Sequence, residues 1–120
     1  MYRVYIPLVS RGETCKIFLE SIILIEQELR KARIYTDEEN YSLYSKIEEF
    51  TQYLDGRFLR CHQSYIINLD KVVKMKAQTI FFENGLKIMI GREKFINAKQ
   101  NFTNYITLGA KKNIAGNLGI

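Results

Sequence analysis

Phe58-Leu59-Arg60-Cys61-His62-Gln63-Ser64-Tyr65-Ile66-Ile67-Asn68-Leu69 sets a short polar stretch inside apolar, β-branched sequence that continues to Met75. Such composition suits strands, and the polar centre reads as a loop or turn between them. The stretch holds the only histidine of the chain. Nucleophilic catalysis by Cys61 with His62 is a poor reading. Adjacent side chains of an extended chain point to opposite faces and do not readily share a proton, and no second histidine is present to act as base. A loop that contacts nucleic acid fits better. A glutamine amide can pair bidentately with adenine, contributing about 1–3 kcal/mol of discrimination, and His62 and Ser64 can donate to phosphate oxygens. The plainer alternative is a turn held by side-chain hydrogen bonds, which Asn68 suits.

Upstream of this stretch, Ile47, Phe50 and Leu54 fall at helical spacing. Ser45 with Glu48 three residues later is a capping-box pattern, and Gly56 is placed for a left-handed cap. A short helix is expected there. Earlier still, Tyr2, Val4, Ile6 and Leu8 alternate with Arg3, Tyr5 and Pro7, and Cys15, Ile17 and Leu19 alternate again. That is the two-residue period of strands, the first at an edge because Pro7 lacks a donor. Ile22 to Ile25, Arg30 to Thr36 and Tyr41 to Tyr44 read as further strands.

Downstream, Thr79 to Glu83 and Leu86 to Ile90 flank Asn84-Gly85, which predicts a hairpin with a type I′ turn. A second helix is expected from Arg92 to Ile106, burying Phe95, Ala98, Phe102 and Ile106 and turning Lys94 and Gln100 outward. From Gly109 periodicity fades, so residues 109–120 are expected to be a flexible tail behind one domain at 1–108. The fold class is mainly β with two short helices. Helix-turn-helix recognition needs about three packed helices and is not supported.

The whole chain, 120 residues and 47% hydrophobic, has room for one core. The longest apolar run, Ile22 to Ile25, is far below the ~20 residues that span a bilayer, so no membrane association is expected. No secretory pattern opens the chain, and a cytoplasmic location is the default expectation. The net charge of +5 is unevenly spread. Residues 1–60 carry nine basic and ten acidic side chains, residues 61–120 nine basic and three acidic. A basic half suits a polyanion partner or is a solvated face. Lys71, Lys74 and Lys76 fit a charged strand edge or phosphate contacts. With two cysteines and one histidine, no closed zinc site can be built from those residues, and neither metal nor cofactor is implied. Cys61, near Arg60, His62 and Lys71, is a weak candidate for a reactive thiolate.

Arg60 to Leu69 resembles the signature of the LytTR DNA-binding family, written loosely as F-x-R-x-H-x-S-[YF]-[IV]-[IV]-N. Ile25-Glu26 is similar to that family's hydrophobic-Ile-Glu strand. The capped helix upstream and the strand, hairpin and basic helix downstream follow the family's order across residues 14–106. The resemblance implies a bacterial, response-regulator-like transcription regulator built as a stack of small antiparallel sheets. Such domains lay loops into successive major grooves of double-stranded DNA. It also implies three base-reading places: Arg30 after the Ile-Glu strand, Gln63 after the histidine, and Arg92 at the start of the last helix. Lys31, Arg60, His62, Ser64 and Lys94 are the matching candidates for phosphate contacts, and Tyr65 and Asn68 are structural. The sequence departs from the pattern at the helix start, where Gly91 replaces the usual serine and Glu93 follows Arg92. Family sites are often paired repeats, so a homodimer on DNA is an expectation. The chain has no room for a receiver domain as well. An RNA-binding β-rich module and a protein that partners a regulator without touching DNA are the alternatives.

Overall fold

The computed structural model describes residues 4–118, with side chains through Gly109. Tyr2 and Arg3 of the expected first strand lie outside them. β1 (Tyr5–Val9) and β2 (Thr14–Phe18) form a two-stranded sheet. β3 (Ile22–Glu28), β4 (Lys31–Thr36), β5 (Asn40–Tyr44), β6 (Phe58–His62) and β7 (Tyr65–Asn68) form a five-stranded sheet in the order β5-β4-β3-β7-β6. β8 (Val72–Lys76), β9 (Thr79–Phe82) and β10 (Lys87–Met89) make a third sheet, ordered β10-β9-β8. Every pairing is antiparallel. The chain ends in one long helix, α1 (Arg92–Leu118). The fold is therefore mainly β, in small stacked antiparallel sheets, as the sequence predicts.

The five-stranded sheet is a shared middle layer. Successive side chains of a strand face opposite sides, and both sides of this sheet are covered. Ile25, Ala32, Ile34 and Ile66 pack with Ile6, Leu8 and Ile17 of the first sheet and with Ile47 and Phe50. Leu24, Cys61 and Ile67 pack on the other side with Ile80, Phe82 and Ile88 of the third sheet and with Phe95, Ala98 and Phe102 of α1. The apolar pair Ile66-Ile67 thus feeds two cores, each fully buried isoleucine contributing about 1.5–3 kcal/mol.

Several local expectations change. The first helix is a 3-10 helix, Ile47–Tyr53, with no side-chain cap. The Ser45 hydroxyl donates to Glu49 at 2.7 Å instead of capping, and the N-cap falls one residue later, at Lys46. The 3-10 helix ends at Leu54 in extended backbone, and Gly56 does not adopt the left-handed conformation expected of it. At Asn84-Gly85 only the glycine has positive φ. Gly85 N–H donates to Phe82 O at 3.0 Å and Phe82 N–H to Leu86 O at 2.9 Å. This is a three-residue loop closed by a left-handed glycine, not a type I′ turn. The two-residue turn with both positions at positive φ is Ala77-Gln78, between β8 and β9.

In α1, Ile106 is 49% exposed, and the half-buried Tyr105 joins the core in its place, its hydroxyl donating to Asp70 at 2.6 Å. The helix also runs past Ile106 and Gly109, so the backbone of the expected loose tail is helical to Leu118. The only proline of the chain is Pro7, and an interior glycine costs a helix only about 1 kcal/mol. Nothing in the backbone chemistry therefore stops it. Among the described residues no helix is long and apolar enough to cross a membrane.

Candidate nucleic-acid interface

Antiparallel pairing gathers three connections at one edge of the central sheet. β3 ends opposite the start of β4, with Glu28 against Lys31, and Glu26 lies against Tyr65 at the start of β7. β6 ends with His62 against the same Tyr65, and β5 ends with Tyr44 against Lys31. The Leu29-Arg30 turn and the Gln63-Ser64 turn are therefore neighbours. They are joined directly, since Gln27 N–H donates to Ser64 O at 2.8 Å.

The Gln27 side chain completes this link. Its Nε2 lies 3.0 Å from Leu29 O, 3.1 Å from Lys31 O and 3.2 Å from Ser45 O, while its Oε1 accepts from Ile47 N–H at 2.8 Å. One amide thus ties the β3–β4 turn to the start of the 3-10 helix. That turn needs holding, because Leu29 sits at φ 56°, where a branched side chain costs roughly 1–2 kcal/mol.

The signature turn is braced from within. The pairing of β6 with β7 shifts register between Arg60 and His62, a bulge that re-aims His62. Ser64 N–H donates to His62 Nδ1 at 3.0 Å, which leaves the ring proton on Nε2 in the neutral tautomer. The ring lies 5.3 Å from that of Tyr65. Arg60 donates through Nε to His62 O at 2.9 Å, through Nη2 to Gln63 O, and to Glu48 Oε1 at 2.9 Å. That bond holds the Glu48 carboxyl below its ordinary value. Arg60, expected at phosphate, spends its guanidinium on the turn's own carbonyls. Gln63 is left exposed at the tip.

Asn68 closes the same strand from inside the protein. It is fully buried, its Nδ2 donates to Ile22 O at 2.7 Å, and its Oδ1 accepts from Asp70 N–H at 2.9 Å. Cys61 is buried too, and burial pushes its thiol up to about 12. The nearby cations do not offset that, and Lys71 is engaged elsewhere, 3.0 Å from Asp37 and 3.8 Å from Glu83. The thiolate expectation is overturned by desolvation. Lys71 is likewise an ion-paired side chain and not one of a row along a strand edge.

The third connection arrives through α1. Phe95 N–H donates to Gly91 O at 2.9 Å, so glycine holds the cap position through its backbone. Gln78 fixes the entry to the helix, accepting from Ile90 N–H and donating through Nε2 to Ile90 O, each at 3.1 Å. Phe95, Ala98 and Phe102 share a core with Cys61 of β6. The first turn of α1 therefore lies beside the signature turn, and a cleft of about 460 Å³ between them is lined by Arg60, Cys61, His62, Gln63, Glu93, Lys94 and Asn97. Arg92 is exposed but does not line this cleft. A second groove of about 570 Å³ runs from Leu29 and Arg30 past Tyr44 to Glu48 and Glu49. The Arg60–Glu48 ion pair is the wall the two depressions share.

Of the acids along this edge, Glu49 and Glu93 line the depressions without an ion pair among the described residues, and the others are engaged. Glu28 is paired with Arg33 at 2.9 Å and Glu48 with Arg60. Glu26 accepts from the Tyr35 hydroxyl at 2.9 Å. Among the described residues Arg30, Arg92 and Lys94 form no ion pair, and Lys31 Nζ lies 5.0 Å from the centre of the exposed Tyr44 ring. Of the residues lining depressions along this edge, the sequence reading names Arg30, Lys31, Gln63 and Lys94 as candidates and does not name Gln27, Leu29, Tyr44 and Asn97. A polar residue ending an apolar run marks Gln27 as an edge position. Nothing local marks the other three.

Comparison with known proteins agrees with this fold. The profile of the LytTr DNA-binding domain matches residues 12–114. Accessory gene regulator protein A of Staphylococcus epidermidis, from two strains, is 30% identical over 70 residues, 55% of this chain. The chain spans only 29% of the length of those relatives. A solved LytTr DNA-binding domain, from a methyl-accepting/DNA response regulator of Bacillus cereus, matches with a TM-score of 0.69 over 83% of this chain and 97% of its own. At 16% identity that likeness carries the fold alone. With the profile covering most of its length, the chain belongs to the LytTR family of DNA-binding domains.

Proposed function

We propose that this domain binds double-stranded DNA sequence-selectively, as the recognition part of a transcription regulator. The observation that carries the reading is the common edge holding the Leu29-Arg30 turn, the Gln63-Ser64 turn and the first turn of α1. Turns on a rigid sheet can enter grooves where a lone helix is not offered. Arg30 suits guanine O6 and N7, and Gln63 suits adenine N6 and N7. Arg92 is the third candidate reader, at the helix start. Lys31, Ser64 and Lys94 are candidates for phosphate, as is His62, whose free Nε2–H is a donor. Arg60 serves by fixing the tip that carries Gln63. Paired sites occupied by two copies side by side follow from the family reading.

Selecting bound duplexes from a random pool, with single-stranded RNA as competitor, tests the proposal. A defined duplex motif is expected. Recovery of no motif, or preference for the RNA, overturns it. Within that motif, Gln63→Ala should relax preference at one base position by about 1–3 kcal/mol while leaving Tm unchanged, because the side chain is exposed. A variant that keeps the same motif with equal discrimination removes Gln63 from the readers.

A further inference from the structure

Leu29 stands out at the tip of the β3–β4 hairpin. It is 93% exposed, the most exposed of the large hydrophobic side chains described. Its φ of 56° is the only positive one in its two-residue turn, a pattern in which glycine is the preferred first residue. The turn therefore carries two unfavourable features at one position, and glycine would remove both. The tip is nevertheless held firmly by the Gln27 amide bonds to Leu29 O and Lys31 O. Arg30 and Lys31 follow directly, so the apolar group is presented next to two cations, against whatever anionic surface they meet. A strained, fixed backbone that projects an apolar side chain into solvent points to a contact made by that side chain.

We infer that Leu29 is a specificity-determining residue that packs on the C5-methyl of a thymine in the major groove. This deepens the proposed function and rests on it. The major groove displays one apolar group, the thymine methyl, and an aliphatic side chain recognises it by contact. Arg30 and Lys31 supply the charge complementarity that brings the tip to DNA. With Arg30 suited to guanine, the turn would read two adjacent positions, one by hydrogen bonds and one by an apolar contact.

The test uses the duplex selected above, with each thymine replaced singly by deoxyuracil, which deletes only the methyl group. The wild-type chain should lose about fourfold in affinity at one position, as expected for one buried methyl. Leu29→Gly and Leu29→Asn both tolerate positive φ. Each should bind thymine and deoxyuracil equally at that position and keep the wild-type response elsewhere. Their Tm should be no lower than that of the wild type, which excludes unfolding as the cause. The inference is overturned if no thymine methyl matters to the wild type, if both variants keep the methyl response, or if they lose affinity equally for both bases, as for a protein contact or altered loop shape. Failure to bind any duplex overturns the underlying reading as well, so the two failures are distinguishable.

Discussion

Asn68 has no water to fall back on, so both ends of its amide depend on the chain. It joins Ile22 at the start of β3 to Asp70 in the turn that leads into the third sheet. Asn68→Ala strands the Ile22 carbonyl and the Asp70 N–H, and an unpaired buried group costs about 1–3 kcal/mol. Urea unfolding should show that loss as a lower midpoint with unchanged slope, while the base preference of the folded fraction stays the same. A fall in specificity at constant stability would contradict this role. The sequence places Asn68 correctly as a turn residue, but its longer bond, across 46 positions to Ile22, has no local signal. Gln27 is similar, since two of its four partners, Ser45 and Ile47, lie 18 and 20 positions away and reach it only after the sheet has formed. Cys61 shows the opposite case. Its neighbours in sequence suggest reactivity, yet it is buried in a core with Phe95, Ala98 and Phe102, far along the chain.

Among the elements, strands were legible because alternation is local and the sheets are antiparallel, whereas turn types were not. Asn84-Gly85 carries the strongest hairpin signal in the chain, but β9 and β10 are staggered so that a third residue, Glu83, joins the loop. The type I′ geometry falls instead on Ala77-Gln78, at φ 52° and 59°. There the Gln78 side chain holds Ile90 and so compensates for the backbone. Ala77→Asn should therefore stabilise the domain by about 0.5–1 kcal/mol, since asparagine visits this region more readily than alanine. Thermal unfolding should show a Tm raised by a few degrees. A lowered Tm would mean that the turn is set by contacts other than backbone preference. The helical spacing of Ile47, Phe50 and Leu54 marks a real element but not its kind, since the helix is 3-10 and its N-cap is Lys46, one residue after the expected Ser45.

At the scale of the whole molecule, charge that looks merely basic in sequence becomes directional once Glu28 and Glu48 are neutralised by partners. Lys94, with no such partner, should contribute to binding by releasing one counterion. Lys94→Ala is expected to weaken binding to all duplexes alike and to flatten the slope of log affinity against log salt by about one unit. A loss confined to one sequence would move Lys94 from phosphate to a base. The candidate site was partly readable in advance because Arg30, Gln63 and Ser64 are polar residues in short connections between apolar strands. Its assembly was not, because it depends on the order β5-β4-β3-β7-β6. That order hangs the hairpin tip and the signature turn from one residue, Gln27, through its main chain to one and its amide to the other. An insertion in either turn would swing both out of alignment. Under the proposed reading, descendants of this domain would change their target by exchanging single side chains at the tips, while the lengths of the two turns stay frozen.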